Sequence, residues 1–146
     1  MTAPDALSLP HTWRPFGARI AVIFFGAMLV LMCVFAWIGF DPEIRAKFTL
    51  FQRSTIVFIG LLYAVAGYAL ARSRVVASEA GVVVVNGYKR RDYEWAEIIS
   101  IHLPVGAPWA TIDLADGSTT SLLAIQGSDG DRARSAVRTL RALIDR

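Results

Sequence analysis

Cysteine is almost absent. Cys33 is the single one and lies inside an apolar run, so no disulfide framework and no Cys/His cluster of zinc-binding spacing can form. Charge is also scarce. Of 146 residues, 18% are Asp, Glu, Lys or Arg, below the roughly 25% usual for soluble domains. There is no glycine-rich phosphate loop, and no nucleophile stands in a pattern with a base. The two histidines, His11 and His102, are too far apart in the chain to suggest a site. Catalysis, cofactors, metals and small-molecule substrates are therefore not expected. The charge deficit is uneven. Ile20–Ala71 is mostly apolar, whereas Arg72–Arg146 carries ten basic and nine acidic residues. A domain that close to neutral is not a general nucleic-acid surface, although the whole chain is at +3.

What the chain does have is a long apolar run, Ile20 to Phe40, IAVIFFGAMLVLMCVFAWIGF. As a helix, these twenty-one residues span roughly 31 Å, the thickness of a bilayer's hydrocarbon core. The run is too long for a signal-peptide core and no small-residue cleavage site closes it. Trp13, Arg14 and Arg19 before it, with Trp37 near its end, have the composition of interfacial anchors. Residues 1–15 hold three prolines and no apolar period, and read as an extended, mobile tail.

Asp41-Pro42-Glu43 is a helix-start pattern. It predicts a second helix running from Pro42 through the uncharged stretch Ser54–Ala71, with Glu43–Arg53 projecting from the membrane as extra turns. Ile44, Phe48 and Phe51 would form an apolar stripe on that projection, lying on the membrane interface or the first helix, or facing a partner. Gly60, Ala64, Gly67 and Ala71 follow helical spacing. Small residues allow close packing where lipid gives no hydrophobic drive, either within the hairpin or against another protein's helix. The Tyr63 phenol, near mid-depth, needs an acceptor, most simply a neighbouring helix's carbonyl. Lys and Arg near the helix ends number seven on the side of the termini against three in the connector, which places both termini in the cytoplasm of a bacterial plasma-membrane protein.

From Val75 the period becomes two. Six strands are predicted: Val75–Ser78, Val82–Asn86, Tyr88–Tyr93, Ile98–Leu103, Trp109–Leu114 and Ser118–Ala124. Asn86-Gly87 marks a hairpin turn. Asp131–Asp145 is an amphipathic helix with Asp129 or Ser128 as its N-cap, and Ala133, Ala136, Val137, Leu140, Leu143 and Ile144 on its apolar face. The fold class is thus a two-helix membrane hairpin over 16–73, followed by an α+β domain over 74–146 with about six antiparallel strands and a C-terminal helix.

Glu79-Ala80-Gly81 before a valine strand, Asn86-Gly87 followed by basic residues, Trp95-Ala96-Glu97-Ile98 at a corner and Asp116-Gly117 in the last hairpin together resemble bacterial pleckstrin-homology (PH) domains. In particular, they are similar to the membrane-anchored actinobacterial type, the low-molecular-weight protein antigen 6 family. The resemblance covers about half the chain. It implies a PH-like fold and brings no catalytic residues. Eukaryotic PH domains bind phosphoinositides through basic residues around their first hairpin, whereas Lys89, Arg90 and Arg91 follow the second hairpin's turn. Those three are candidate contacts for anionic lipid; strand alternation separates Arg90 from the other two, and Asp92 and Glu94 dilute their field. Two functional expectations follow. One is a non-catalytic accessory or scaffold subunit of a larger membrane complex, with membrane lipids and the other subunits as partners. The other is a membrane-tethered lipid or peptide sensor.

Overall fold

The computed structural model describes residues 8–145. Its first long helix, α1, spans Phe16–Gly39, twenty-four residues free of proline. Leu50–Arg72 forms an antiparallel partner, here named α3. Both are long and apolar enough to cross a membrane. A core helix of a soluble protein would hide such a surface, but α1 buries none of its residues and α3 only Gly67. Phe35 is 70% and Phe51 78% exposed. An apolar surface this extensive marks contact with lipid or protein.

Between the two lies α2, Pro42–Lys47, and here the structure corrects the expected single helix from Pro42. Phe48 and Thr49 are extended and break the chain's helical course. The cause is a local competitor. Thr49 Oγ1 accepts from the Gln52 amide at 3.2 Å, and Gln52 Oε1 accepts from the Thr49 amide at 3.0 Å. This reciprocal capping box satisfies two amides that helix initiation leaves unpaired. Asp41 makes no side-chain cap, contrary to expectation. The apolar stripe is broken with the helix. Phe48 folds back to stack on Phe40 (centroids 5.7 Å apart) and meets Trp37 edge-on at 5.8 Å. Ile44 stays partly exposed on α2, and Phe51 points outward on α3. Thr49→Ala is expected to lower hairpin stability by about 0.5–1 kcal/mol, as loss of an exposed cap does; thermal unfolding in detergent, monitored by far-UV circular dichroism, measures it.

The domain contains seven strands, one more than predicted. The extra one is β1, His11–Trp13, in the segment expected to be a mobile tail. It pairs antiparallel with β2, Arg74–Ala77, setting Thr12 against Val76. β3 (Gly81–Asn86) and β4 (Lys89–Glu94) complete a sheet of order β1-β2-β3-β4. The whole helical hairpin is therefore an insertion between two neighbouring strands of one sheet. A short 3-10 turn at Trp95–Glu97 leads to β5 (Ile98–His102), β6 (Trp109–Leu114) and β7 (Thr119–Gln126), a second antiparallel sheet. Helix α4, Asp131–Ile144, closes the domain. Val75, Val82 and Val84 from the first sheet meet Ile101, Ile112 and Leu122 from the second, with Val137 and Leu140 of α4 over them. Trp13, expected as an interfacial anchor, packs against this core. The Trp95 indole does the same while donating to the Ser78 carbonyl at 3.0 Å.

Candidate functional site at the junction of hairpin and domain

The residues worth attention gather where the helices enter the domain. Asp129 or Ser128 is expected to cap α4. Gly130, with φ 58°, holds that position instead, and Asp129 reaches the start of α1. Its Oδ1 accepts from the Gly17 amide at 2.9 Å and its Oδ2 from the Phe16 amide at 3.2 Å. These are orphan donors at the positive end of the helix dipole, so a carboxylate suits them. Gly17 is needed for the approach: a Cβ there would lie 2.8 Å from Oδ1. Pro15, just before α1, is buried.

The end of α3 is held by the β3–β4 turn. Buried Ser73 donates its hydroxyl to the Ala69 carbonyl at 3.1 Å and accepts from the Gly87 amide at 2.9 Å. The hairpin turn is Gly87-Tyr88, one residue later than the expected Asn86-Gly87: Asn86 stays in β3 opposite Lys89, and Gly87, with φ 60°, takes the first turn position and sits against the Ala69 methyl. Tyr88 reaches further along the helix and donates to the Val65 carbonyl at 3.0 Å. Arg72 lies over the Tyr68 and Tyr88 rings, 5.7 and 5.4 Å from their centroids. Tyr88, expected to begin the third strand, instead stands in the turn itself, with the strand starting at Lys89, and a turn residue aimed at a helix end carries no periodic signal.

Two clefts flank this junction. One, of about 190 Å³, is lined by Lys89, Arg91, Asn86 and the hydroxyl residues Thr119, Thr120 and Ser121. Arg90 is not part of it. Its guanidinium forks onto Asp92, with Nη2 at 2.9 Å, and that hydrogen bond and charge raise its pKa above the ordinary arginine value. The other, of about 290 Å³, lies between β1, the first turn of α1 and α4, with Arg14, Arg19 and Arg132 among its walls. Arg132 sits over the Phe16 ring at 4.4 Å. Trp37, at the far end of the hairpin, carries Arg53 over its ring at 5.1 Å.

The small-residue positions are not equivalent. Gly67 faces α1, and a Cβ there would lie 2.6 Å from Val22 Cγ1. Gly60 has nothing within 4 Å. Ala64 is exposed and Ala71 half-buried. Gly26 of α1, which sequence reasoning passed over, takes the Tyr63 ring 3.1 Å from where its Cβ would stand, and the Tyr63 hydroxyl donates to the Val22 carbonyl at 3.0 Å. In the domain, His102 Nδ1 stands 3.3 Å from Asp113 Oδ2. Among the described residues, no three His, Cys, Asp or Glu side chains are grouped as metal ligands would be. Asp116 accepts from Ser118 in the β6–β7 turn, which holds its carboxyl below the usual range.

Two antiparallel sheets closed by a C-terminal helix, with turns at the positions described, define a PH-like domain, and residues 72–143 match the family model described as Bacterial PH domain. The chain belongs to the bacterial PH-domain proteins, with two candidate membrane helices ahead of the matched region. It is 34% identical over 145 residues to uncharacterized proteins of Mycobacterium bovis and Mycobacterium tuberculosis, covering 97% of this chain and 90% of theirs. That likeness extends through the hairpin and β1 as well as the matched domain. No solved structure matches the chain.

Proposed function

We propose that this protein is a non-catalytic, two-pass plasma-membrane protein with both termini cytoplasmic, and that it serves as an accessory or scaffold subunit of a larger membrane complex. The observation that carries this reading is the junction. The hairpin is inserted between β1 and β2, Asp129 holds the start of α1, and Ser73 and Tyr88 hold the end of α3. A sensor that must swing needs a loose linker. This domain is bound to both helices at once, so it presents fixed surfaces at the membrane face. The hairpin's outward apolar surface offers complementary packing to other membrane subunits. Affinity purification of the tagged full-length protein in mild detergent, with mass spectrometry and native gel sizing, tests it. Stoichiometric recovery with one large complex is the expected result; recovery alone or as a small homo-oligomer would sink the reading.

A second reading, an anionic-lipid sensor, is favoured by the cleft in which Lys89 and Arg91 stand beside three hydroxyl residues. Its mark is salt-sensitive co-flotation of the full-length protein's domain face with anionic vesicles, reduced at least tenfold by Lys89→Gln with Arg91→Gln. Unchanged flotation of that double variant removes this reading.

A further inference from the structure

We infer that the cleft walled by Arg14, Arg19 and Arg132 is a phosphate site occupied by the headgroup of one anionic membrane lipid. Three guanidiniums from three different elements converge on one cavity of about 290 Å³: Arg14 follows β1, Arg19 lies in the first turn of α1, and Arg132 in the first turn of α4. Among the described residues, none of the three side chains makes an ion pair or hydrogen bond. The cavity's one carboxylate, Asp129, has its oxygens on the Phe16 and Gly17 amides, so the cleft keeps a net positive charge. Guanidinium forks match phosphate oxygens bidentately. Stacking on the Phe16 ring holds the Arg132 guanidinium in place before any ligand arrives.

Position selects the source of the phosphate. Arg19 is the last charged residue before the apolar run that starts at Ile20. With the hairpin spanning the bilayer as proposed, the cleft opens at the level of the polar headgroups on the side of the termini, and acyl chains can run down α1 below it. The volume falls at the small end of ligand sites, roughly 300–1,000 Å³, enough for a headgroup phosphate but not for a large cofactor. This inference does not depend on the accessory-subunit reading, because a lipid can be held whether or not a protein complex forms.

The test is native mass spectrometry of the purified full-length protein in mild detergent, supplied with phosphatidylglycerol or with phosphatidylcholine of the same chains. One phosphatidylglycerol retained per chain, with phosphatidylcholine retained at least tenfold less, is the expected result. The combined Arg14→Gln, Arg19→Gln and Arg132→Gln variant loses that retention tenfold or more, and Arg132→Lys loses less. Equal retention of the two lipids, or undiminished retention by the triple variant, overturns the inference. If the triple variant does not fold, exposed Arg14 alone decides: Arg14→Gln with wild-type unfolding temperature and wild-type retention also overturns it. Inorganic phosphate that raises the unfolding temperature as much as the lipid does would assign the cleft to a soluble phosphate instead.

Discussion

Gly67→Leu forces α1 away from α3 and lowers the stability of the hairpin by about 2–3 kcal/mol, the upper part of the range for overpacking a closed contact. The position has no slack. Even a lone Cβ would lie 2.6 Å from Val22 Cγ1, and a valine in a helix has one strongly preferred χ1 rotamer, so its methyl cannot swing aside. The neighbouring contact cannot absorb the shift either, because Tyr63 is held against α1 by its hydrogen bond to the Val22 carbonyl. Moving α1 outward therefore lengthens that bond and unpacks Gly26 from the Tyr63 ring. Gly60→Leu is the control: nothing stands within 4 Å of its Cβ position, and the substitution is expected not to destabilise, since replacing a helical glycine adds up to about 1 kcal/mol. Unfolding of the full-length protein in mixed micelles, followed by circular dichroism, measures both. A second test is rescue. Gly67→Ala with Val22→Ala removes the offending methyl and should recover most of the loss that Gly67→Ala alone produces. If Gly67→Leu and Gly60→Leu unfold alike, helix packing at this glycine does not hold the hairpin together.

This contrast shows what sequence spacing conveys and what it leaves out. Four small residues at helical spacing locate a face, but only the crossing point decides which of them touches, and that depends on where the partner helix diverges. Gly60 and Gly67 are indistinguishable in the pattern. The same limit explains β1. His11-Thr12-Trp13 is too short to show alternation beside Pro10 and Pro15, and its pairing partner lies beyond both long helices. The six strands from Arg74 onward are legible because each lies next to a partner in the chain, with turns marked by Gly87 and by Asp116-Gly117, although the first turn falls one residue later than Asn86-Gly87. The helix break at Phe48–Thr49 was legible in principle. Thr49 and Gln52 carry the capping-box spacing, but the stronger start signal at Asp41-Pro42 drew the boundary there. In the candidate site, Lys89 and Arg91 were separable from Arg90 by strand alternation alone. The cleft of Arg14, Arg19 and Arg132 was not, since it joins residues from opposite ends of the chain.

Asp129→Ala is expected to loosen the domain from the first helix, costing about 1–2 kcal/mol for a charged N-terminal cap. The residue invites a local explanation, because it stands two positions before α4 and carries a side chain that caps helices well. Gly130, with its positive φ, takes the cap position of α4, and the Asp129 carboxylate accepts from the first amides of α1 instead. There it meets an amide 112 positions earlier in the chain. Its two oxygens take two different amides, so Asp129→Asn keeps one acceptor and is expected to lose roughly half as much. Asp129→Ala leaves the Phe16 and Gly17 amides without this acceptor next to Pro15, which is buried and cannot rearrange freely. Hydrogen exchange of those two amides in lipid nanodiscs gives the readout. Exchange at Phe16 and Gly17 should rise at least tenfold in Asp129→Ala, while the β5–β7 sheet keeps its protection, because that sheet has its own core against α4. Unchanged exchange at both amides would mean that β1 pairing alone fixes the start of α1. Loss of protection throughout the domain would mean that the hairpin and the sheets fold as one unit, which would make the fixed presentation of the domain a property of the whole chain and not of a single carboxylate.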